Sequence, residues 1–203
     1  MRLRYSGTVL AAVLVLSAVA SAEELAIGAK GPGFWLLGTD GKTHSLADYK
    51  GKKGVALIFT CNHCPYAKAF EDRIIKLAGE YQPKGIAFAA ISSNDPTVFE
   101  EDSYDDMVAR AVEKKYPLPY LYDSTSAVGL AYGARVTPHV FLLDSSFTLV
   151  YRGRIEDDAD AKKSKSFDLK YAMNALLAGR KITVAETKAF GCSIKWRKPA
   201  QTD

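Results

Sequence analysis

Cysteine and histidine are scarce in this 203-residue chain, with three of each. A structural zinc site ordinarily draws its four ligands from two close pairs of Cys or His. Cys61 and Cys64 form one such pair, and Cys192 is the only thiol left to start a second. Charge of one sign is lacking as well: 27 Lys and Arg stand against 23 Asp and Glu. That near balance gives no argument for nucleic acid or an anionic surface as partner. The run Lys162-Lys163-Ser164-Lys165 reads as a solvated loop beside the acidic Glu156-Asp157-Asp158. No internal repeat, linker or low-complexity block divides the chain. The apolar stretch from Thr8 to about Ala20 is too short for a membrane span, which needs about 20 residues.

What that stretch does suggest is export. Arg2 and Arg4 precede it and Ala20-Ser21-Ala22 ends it, the pattern of a secretory signal peptide over residues 1–22 with Glu23 as the first mature residue. The leader holds two of the basic residues and no acid, so the remainder carries a net charge of +2. Residues 23–203 are long enough for one domain with a sizeable core. The expected compartment is outside the cytoplasm, a bacterial periplasm fitting best, where disulfides persist. No membrane span is expected after cleavage.

The chemistry concentrates in Cys61-Asn62-His63-Cys64, followed at once by Pro65. A Cys-x-x-Cys pair serves as half a zinc site, a haem attachment signal or a redox couple. The second ligand pair is missing, and Pro65 stands where a haem signal needs His. An apolar strand, Val55 to Thr60, precedes the motif, and a helical pattern follows it. Redox chemistry therefore fits best, with the pair on a first helical turn whose free N–H groups and dipole stabilise a thiolate.

Strand and helix patterns alternate along the chain. Phe34 to Leu37 and Thr43 to Leu46 flank a tight turn at Gly38-Thr39-Asp40-Gly41 and predict a hairpin. Phe70, Ile74, Leu77 and Tyr81 predict an amphipathic helix over 66–81. Ile86 to Ser92 reads as a buried strand, and Ser93 to Ser103 as a polar loop. Tyr104 to Lys115 reads as a helix, Tyr120 to Asp123 as a strand, and Ala127 to Tyr132 as a short helix. Strands at His139 to Asp144 and Leu149 to Arg152 precede a last helix, Phe167 to Leu177, stopped by Gly179. This order predicts an α/β sandwich around one mixed sheet.

These residues resemble a known family. Phe59-Thr60-Cys61-Asn62-His63-Cys64-Pro65-Tyr66, Asn94-Asp95, Pro119-Tyr120-Leu121-Tyr122-Asp123, Thr137-Pro138, Tyr151-Arg152-Gly153-Arg154-Ile155 and Gly191-Cys192-Ser193-Ile194-Lys195-Trp196 are similar to thioredoxin-fold proteins of the redoxin, AhpC/TSA-like branch. The likeness spans about Gly28 to Trp196. It implies a thioredoxin-like three-layer α/β/α sandwich with an N-terminal β-hairpin extension and a central mixed sheet. It also implies an exported thiol–disulfide oxidoreductase that exchanges electrons with protein or small-molecule thiols and disulfides, with no cofactor.

The resemblance further implies roles. Cys61 is the more exposed attacking thiol, and Cys64, one turn into the helix, is the buried resolving thiol. His63 places a cationic ring near the first sulfur; stabilised thiolate favours the reduced form and makes the disulfide more oxidising. Asn62 is a turn-tolerant spacer. Thr137-Pro138 faces the thiols with a cis peptide bond and offers its backbone as a strand edge to a bound thiol or peptide. His139 is more readily a hydrogen-bonded structural residue than a participant. Cys192 is a possible third redox thiol in a docked tail.

Two other readings stay open. A thiol peroxidase, an antioxidant of the neighbouring peroxiredoxins, uses Pro-x-x-x-Thr-x-x-Cys. Here Gly54 and Ile58 hold the Pro and Thr places before Cys61, and Leu57 and Cys61 hold them before Cys64. A copper-binding or copper-delivering protein would use Cys61, Cys64 and either His63 or His139, since soft copper suits thiolate and imidazole. Related copper chaperones separate their cysteines by three residues, whereas this chain has two.

Overall fold

The computed structural model describes residues 23–198; the leader expected at 1–22 lies outside them. Its centre is β3 (Gly54–Phe59), buried at every position. Val, Leu, Ile and Phe on both faces make it a strand covered from two sides. It runs parallel to β4 (Ile86–Ser92) and antiparallel to β7 (His139–Asp144). Four more strands complete a seven-stranded mixed sheet: β1 (Trp35–Gly38), β2 (Thr43–Ser45), β5 (Tyr120–Tyr122) and β8 (Leu149–Gly153). The order is β2-β1-β5-β4-β3-β7-β8, with the β1–β2 hairpin forming one edge. The expected hairpin, the strand pattern and the mixed sheet are all present.

One face of the sheet is covered by α1 (Pro65–Tyr81), α2 (Tyr104–Glu113) and α4 (Asp168–Leu177). Phe70, Ile74, Leu77 and Tyr81 of α1 recur every three to four residues and pack on Ile58, Phe88 and Leu142. The other face is covered by a 3-10 turn at Leu46–Tyr49, by α3 (Ala127–Tyr132) and by both ends of the described chain, including Ile27, Ile194 and Trp196. The result is the expected three-layer sandwich.

The structure departs from the sequence reading at three places. The helix after the motif begins at Pro65, so Cys64 is its N-cap and not a residue one turn inside. Proline suits this start because its missing N–H is one that a first turn leaves unpaired anyway. The second helix ends at Glu113, and Lys115 reverses the chain with φ 52°. The tail after α4 contributes a strand that periodicity could not reveal. Here β9 (Cys192–Ser193) pairs antiparallel with β6 (Val136–Thr137) in a separate two-stranded sheet.

Candidate functional site

The site is built where β3 ends. After Phe59 the chain stays tied to β4 through Thr60 N–H donating to Ile91 O at 2.8 Å, then turns through the motif into α1. Cys61 is 5% exposed and Cys64 is fully buried, so Cys61 is the sulfur nearer solvent. Thr137 reaches both: its Oγ1 lies 3.2 Å from Cys61 Sγ, and its carbonyl oxygen lies 3.3 Å from Cys64 Sγ. The Thr137–Pro138 bond is cis, as the resemblance implied. It ends β6, turning the threonine toward the thiols.

Each of the two thiols shifts the ionisation of the other. The Cys61–Cys64 hydrogen bond is the largest influence on both: it lowers Cys64 to about 4 and raises Cys61 well above the ordinary thiol range. Cys64 also has the Cys192 thiol and the Ala67 N–H of the first helical turn directed at it. Burial and the negative charge of Asp102 hold Cys61 up. The expected helix-terminus effect therefore acts most directly on Cys64, the N-cap residue, and not on Cys61.

His63 neither points to solvent nor stands alone beside the sulfur. Its ring is stacked on Phe99 at 3.9 Å between centroids, with planes 7° apart. Nδ1 lies 2.5 Å from Oδ2 of Asp102, which is completely buried. Asp102 also accepts from Asn62 N–H at 2.7 Å, His63 N–H at 3.2 Å and Asn94 Nδ2 at 2.8 Å. Asn62 is more than a spacer: Nδ2 donates to Glu101 O at 2.8 Å, and Oδ1 accepts from the Tyr120 hydroxyl at 3.1 Å. The motif is thus clamped from below by a carboxylate that the sequence reading passed over as part of a polar loop. Nothing in the local pattern separates Asp102 from Glu100 and Glu101.

The tail closes the other side. Cys192 is half-buried, packs against the Cys61–Cys64 cluster and is pushed up to about 11, first by burial and then by its bond to Cys64. Its backbone pairs with Thr137, so the strand edge expected to be offered to a bound peptide is taken by the protein's own residues 192–193. Asn94 links clamp and tail, since its Oδ1 accepts from Lys195 N–H at 2.8 Å.

Cys61, His63 and Asp102 bring potential metal-ligating atoms within 4.8 Å of one another. The carboxylate oxygens in that group are already spent on four donors. His139 is not a member of that group. It lies on β7 opposite Phe59, accepts from Arg135 N–H at 3.3 Å and packs against Phe141 with the rings tilted by 44°. Burial holds its pKa down to about 4, so it stays neutral.

Comparison with known proteins agrees with this fold. Residues 27–156 match the model of the AhpC/TSA family. The thiol–disulfide oxidoreductase ResA of Geobacillus thermodenitrificans is 29% identical over 122 residues, covering 60% of this chain and 66% of the relative, just under two thirds of its length. A crystal structure of an uncharacterized conserved protein from Geobacillus kaustophilus superposes with a TM-score of 0.82 at 38% identity, covering 86% of this chain and 94% of that one. A thiol:disulfide interchange protein DsbE from Chlorobium tepidum shares the thioredoxin-like fold with a TM-score of 0.61 at 21% identity, covering 76% of this chain and 99% of that one. The chain belongs to the AhpC/TSA family.

Proposed function

We propose that the protein is a thiol–disulfide oxidoreductase working through Cys61 and Cys64. The observation that carries this is a pair of adjacent buried thiols, one on a helix N-cap and both in contact with Thr137. In the reductive direction, the Cys61 proton passes to Cys64, and the Cys61 thiolate attacks a partner disulfide. A mixed disulfide forms, and the partner's leaving sulfur takes up a proton. Cys64 then gives up its proton and attacks Cys61 Sγ. The partner departs as a dithiol, and Cys61–Cys64 remains as a disulfide, oxidised by two electrons. The oxidative direction is the reverse.

The neighbours have supporting roles in this scheme. Thr137 Oγ1 hydrogen-bonds the Cys61 sulfur, Pro138 fixes the threonine's direction, and the His63–Asp102 pair sets the charge beneath Cys61. We also infer export, on the charged leader and Ala20-Ser21-Ala22. Among the described residues, no helix is long and apolar enough to cross a membrane. The peroxidase reading is weaker because Gly54 and Ile58 lack the groups that its pattern requires.

Substitution separates the roles. Cys61→Ser should abolish reduction of a disulfide substrate such as insulin, whereas Cys64→Ser should accumulate a mixed disulfide on Cys61. Undiminished turnover by both variants would overturn the assignment.

A further inference from the structure

The tail brings a third thiol to the pair in a defined geometry. Cys192 sits opposite Thr137 in the β6–β9 ladder, and Ile194 N–H donates to Arg135 O at 3.1 Å just beyond. Gly191 passes so close to the Thr137 carbonyl that a Cβ there would lie 2.0 Å from the oxygen. The strand is therefore fitted against this one loop. Further on, Asp95 N–H donates to Lys195 O at 2.7 Å, and Arg197 N–H donates to Ser126 Oγ at 3.1 Å. These bonds anchor the segment that follows the cysteine.

The sulfurs have an order. Cys192 packs against the cluster of Cys61, Cys64 and Ala67, and Cys64 Sγ lies 3.3 Å from the carbonyl oxygen of Thr137, the residue that Cys192 pairs with. Cys64 is also among the groups that raise the Cys192 pKa, which makes it the neighbour shared by the other two thiols. Thiol–disulfide exchange proceeds by attack of one sulfur on the second while the third departs. A central sulfur with one thiol on each side meets that requirement. The backbone pairing also sets Cys192 where the cysteine of an added peptide strand would come to lie.

Resting on the exchange activity proposed above, we propose that Cys192 is a third catalytic thiol, which takes the disulfide from Cys61 and moves it to Cys64–Cys192. The Cys192 thiolate attacks Cys64 Sγ of the Cys61–Cys64 disulfide. The Cys64–Cys192 bond forms, the Cys61–Cys64 bond breaks, and Cys61 leaves with the electron pair and takes up the proton that Cys192 gave up. No net oxidation occurs, so no further reductant or oxidant enters. The relay returns Cys61 to its attacking form while the tail is tied covalently across the loop.

The test uses the full-length protein with Cys61→Ser, reduced and then equilibrated with oxidised glutathione. Free thiols are alkylated in denaturant, and linked peptides are mapped by mass spectrometry. Glutathione first oxidises Cys64 to a mixed disulfide, which Cys192 then displaces. Even a flexible tether gives an effective concentration on the order of mM, so most Cys64 should be recovered bonded to Cys192. Cys64 recovered as the glutathione adduct, with Cys192 alkylated, would overturn the relay. Cys61→Ala serves in the same protocol if the serine variant loses the wild-type circular dichroism spectrum. Wild-type protein run alongside keeps the two claims apart. A Cys61–Cys64 bond there, without Cys64–Cys192 in either protein, removes only the relay; no intramolecular bond in the wild type removes the exchange activity itself.

Discussion

Asp102→Ala should be among the most damaging single substitutions near the site, although the residue touches no partner in the proposed reaction. The carboxylate is completely buried and accepts four hydrogen bonds: two from backbone N–H groups of the motif, one from Asn94 and one with the His63 ring. Alanine leaves those donors without an acceptor at the point where β3 hands the chain to α1. A buried donor left unsatisfied costs about 1–3 kcal/mol. Partial relaxation and entry of water keep the four losses from adding in full, so we expect about 4 kcal/mol. For a domain of this length, that lowers Tm by about 8–16 °C. Thermal unfolding followed by circular dichroism measures it, with Asp102→Asn as control. The amide keeps one acceptor for the backbone N–H groups and should lose less. Loss of the negative charge should also let the Cys61 thiol ionise at lower pH in either variant. A Tm within about 2 °C of wild type for Asp102→Ala would refute the view that this carboxylate holds the motif in shape.

Three further outcomes are expected. In His63→Gln, a neutral amide replaces a ring paired with the carboxylate. The amide covers the Asp102 carboxylate less fully than the ring, and the negative charge of Asp102 raises the Cys61 pKa, so Cys61 should alkylate more slowly at neutral pH and the couple should become more reducing. An unchanged rate would mean that the ring does not act on the sulfur. The pH dependence follows from Cys64, lowered to about 4 from the ordinary 9.0. This depressed pKa stabilises the reduced form in full above about pH 9; the effect fades as pH falls and is gone below about 4. One proton per two electrons should then accompany reduction between about pH 5 and 8, giving a slope of ~30 mV per pH unit. A slope of ~59 mV across that window would show both thiols protonated. Gly191→Ala places a Cβ against the Thr137 carbonyl at a φ of +151°. It should break the β6–β9 pairing and speed Cys192 alkylation by roughly tenfold, the effect of about 1.4 kcal/mol of lost protection; unchanged protection would mean that the strand is not held by this contact.

Local signals and long-range contacts divide what the sequence made legible. The all-apolar run at 55–60, the spacing of Phe70, Ile74, Leu77 and Tyr81, and the Asp-Gly turn carry their structure in their own neighbours. The placement of Thr137-Pro138 opposite the cysteines followed from the family resemblance and holds in the structure. Asp102 was not legible because its value lies in meeting Asn62 and His63, some 40 residues earlier in the chain. The β6–β9 ladder was hidden for a similar reason. Two-residue strands have no periodicity, and β7, β8 and α4 all lie between Thr137 and Cys192 in the chain. His63 shows how a correct neighbourhood can still mislead. The ring is near the sulfur, but it comes with a buried carboxylate partner that a local reading could not supply.

The central claim, a two-electron couple between Cys61 and Cys64, meets its most direct test in an equilibrium titration of the purified protein. The reduced and oxidised forms of glutathione set the potential, and alkylation with mass mapping identifies each bond. One two-electron transition is expected, in which both thiols disappear together into a Cys61–Cys64 disulfide. Cys61 and Cys64 remaining reduced across the range, or carrying separate glutathione adducts with no bond between them, would contradict it.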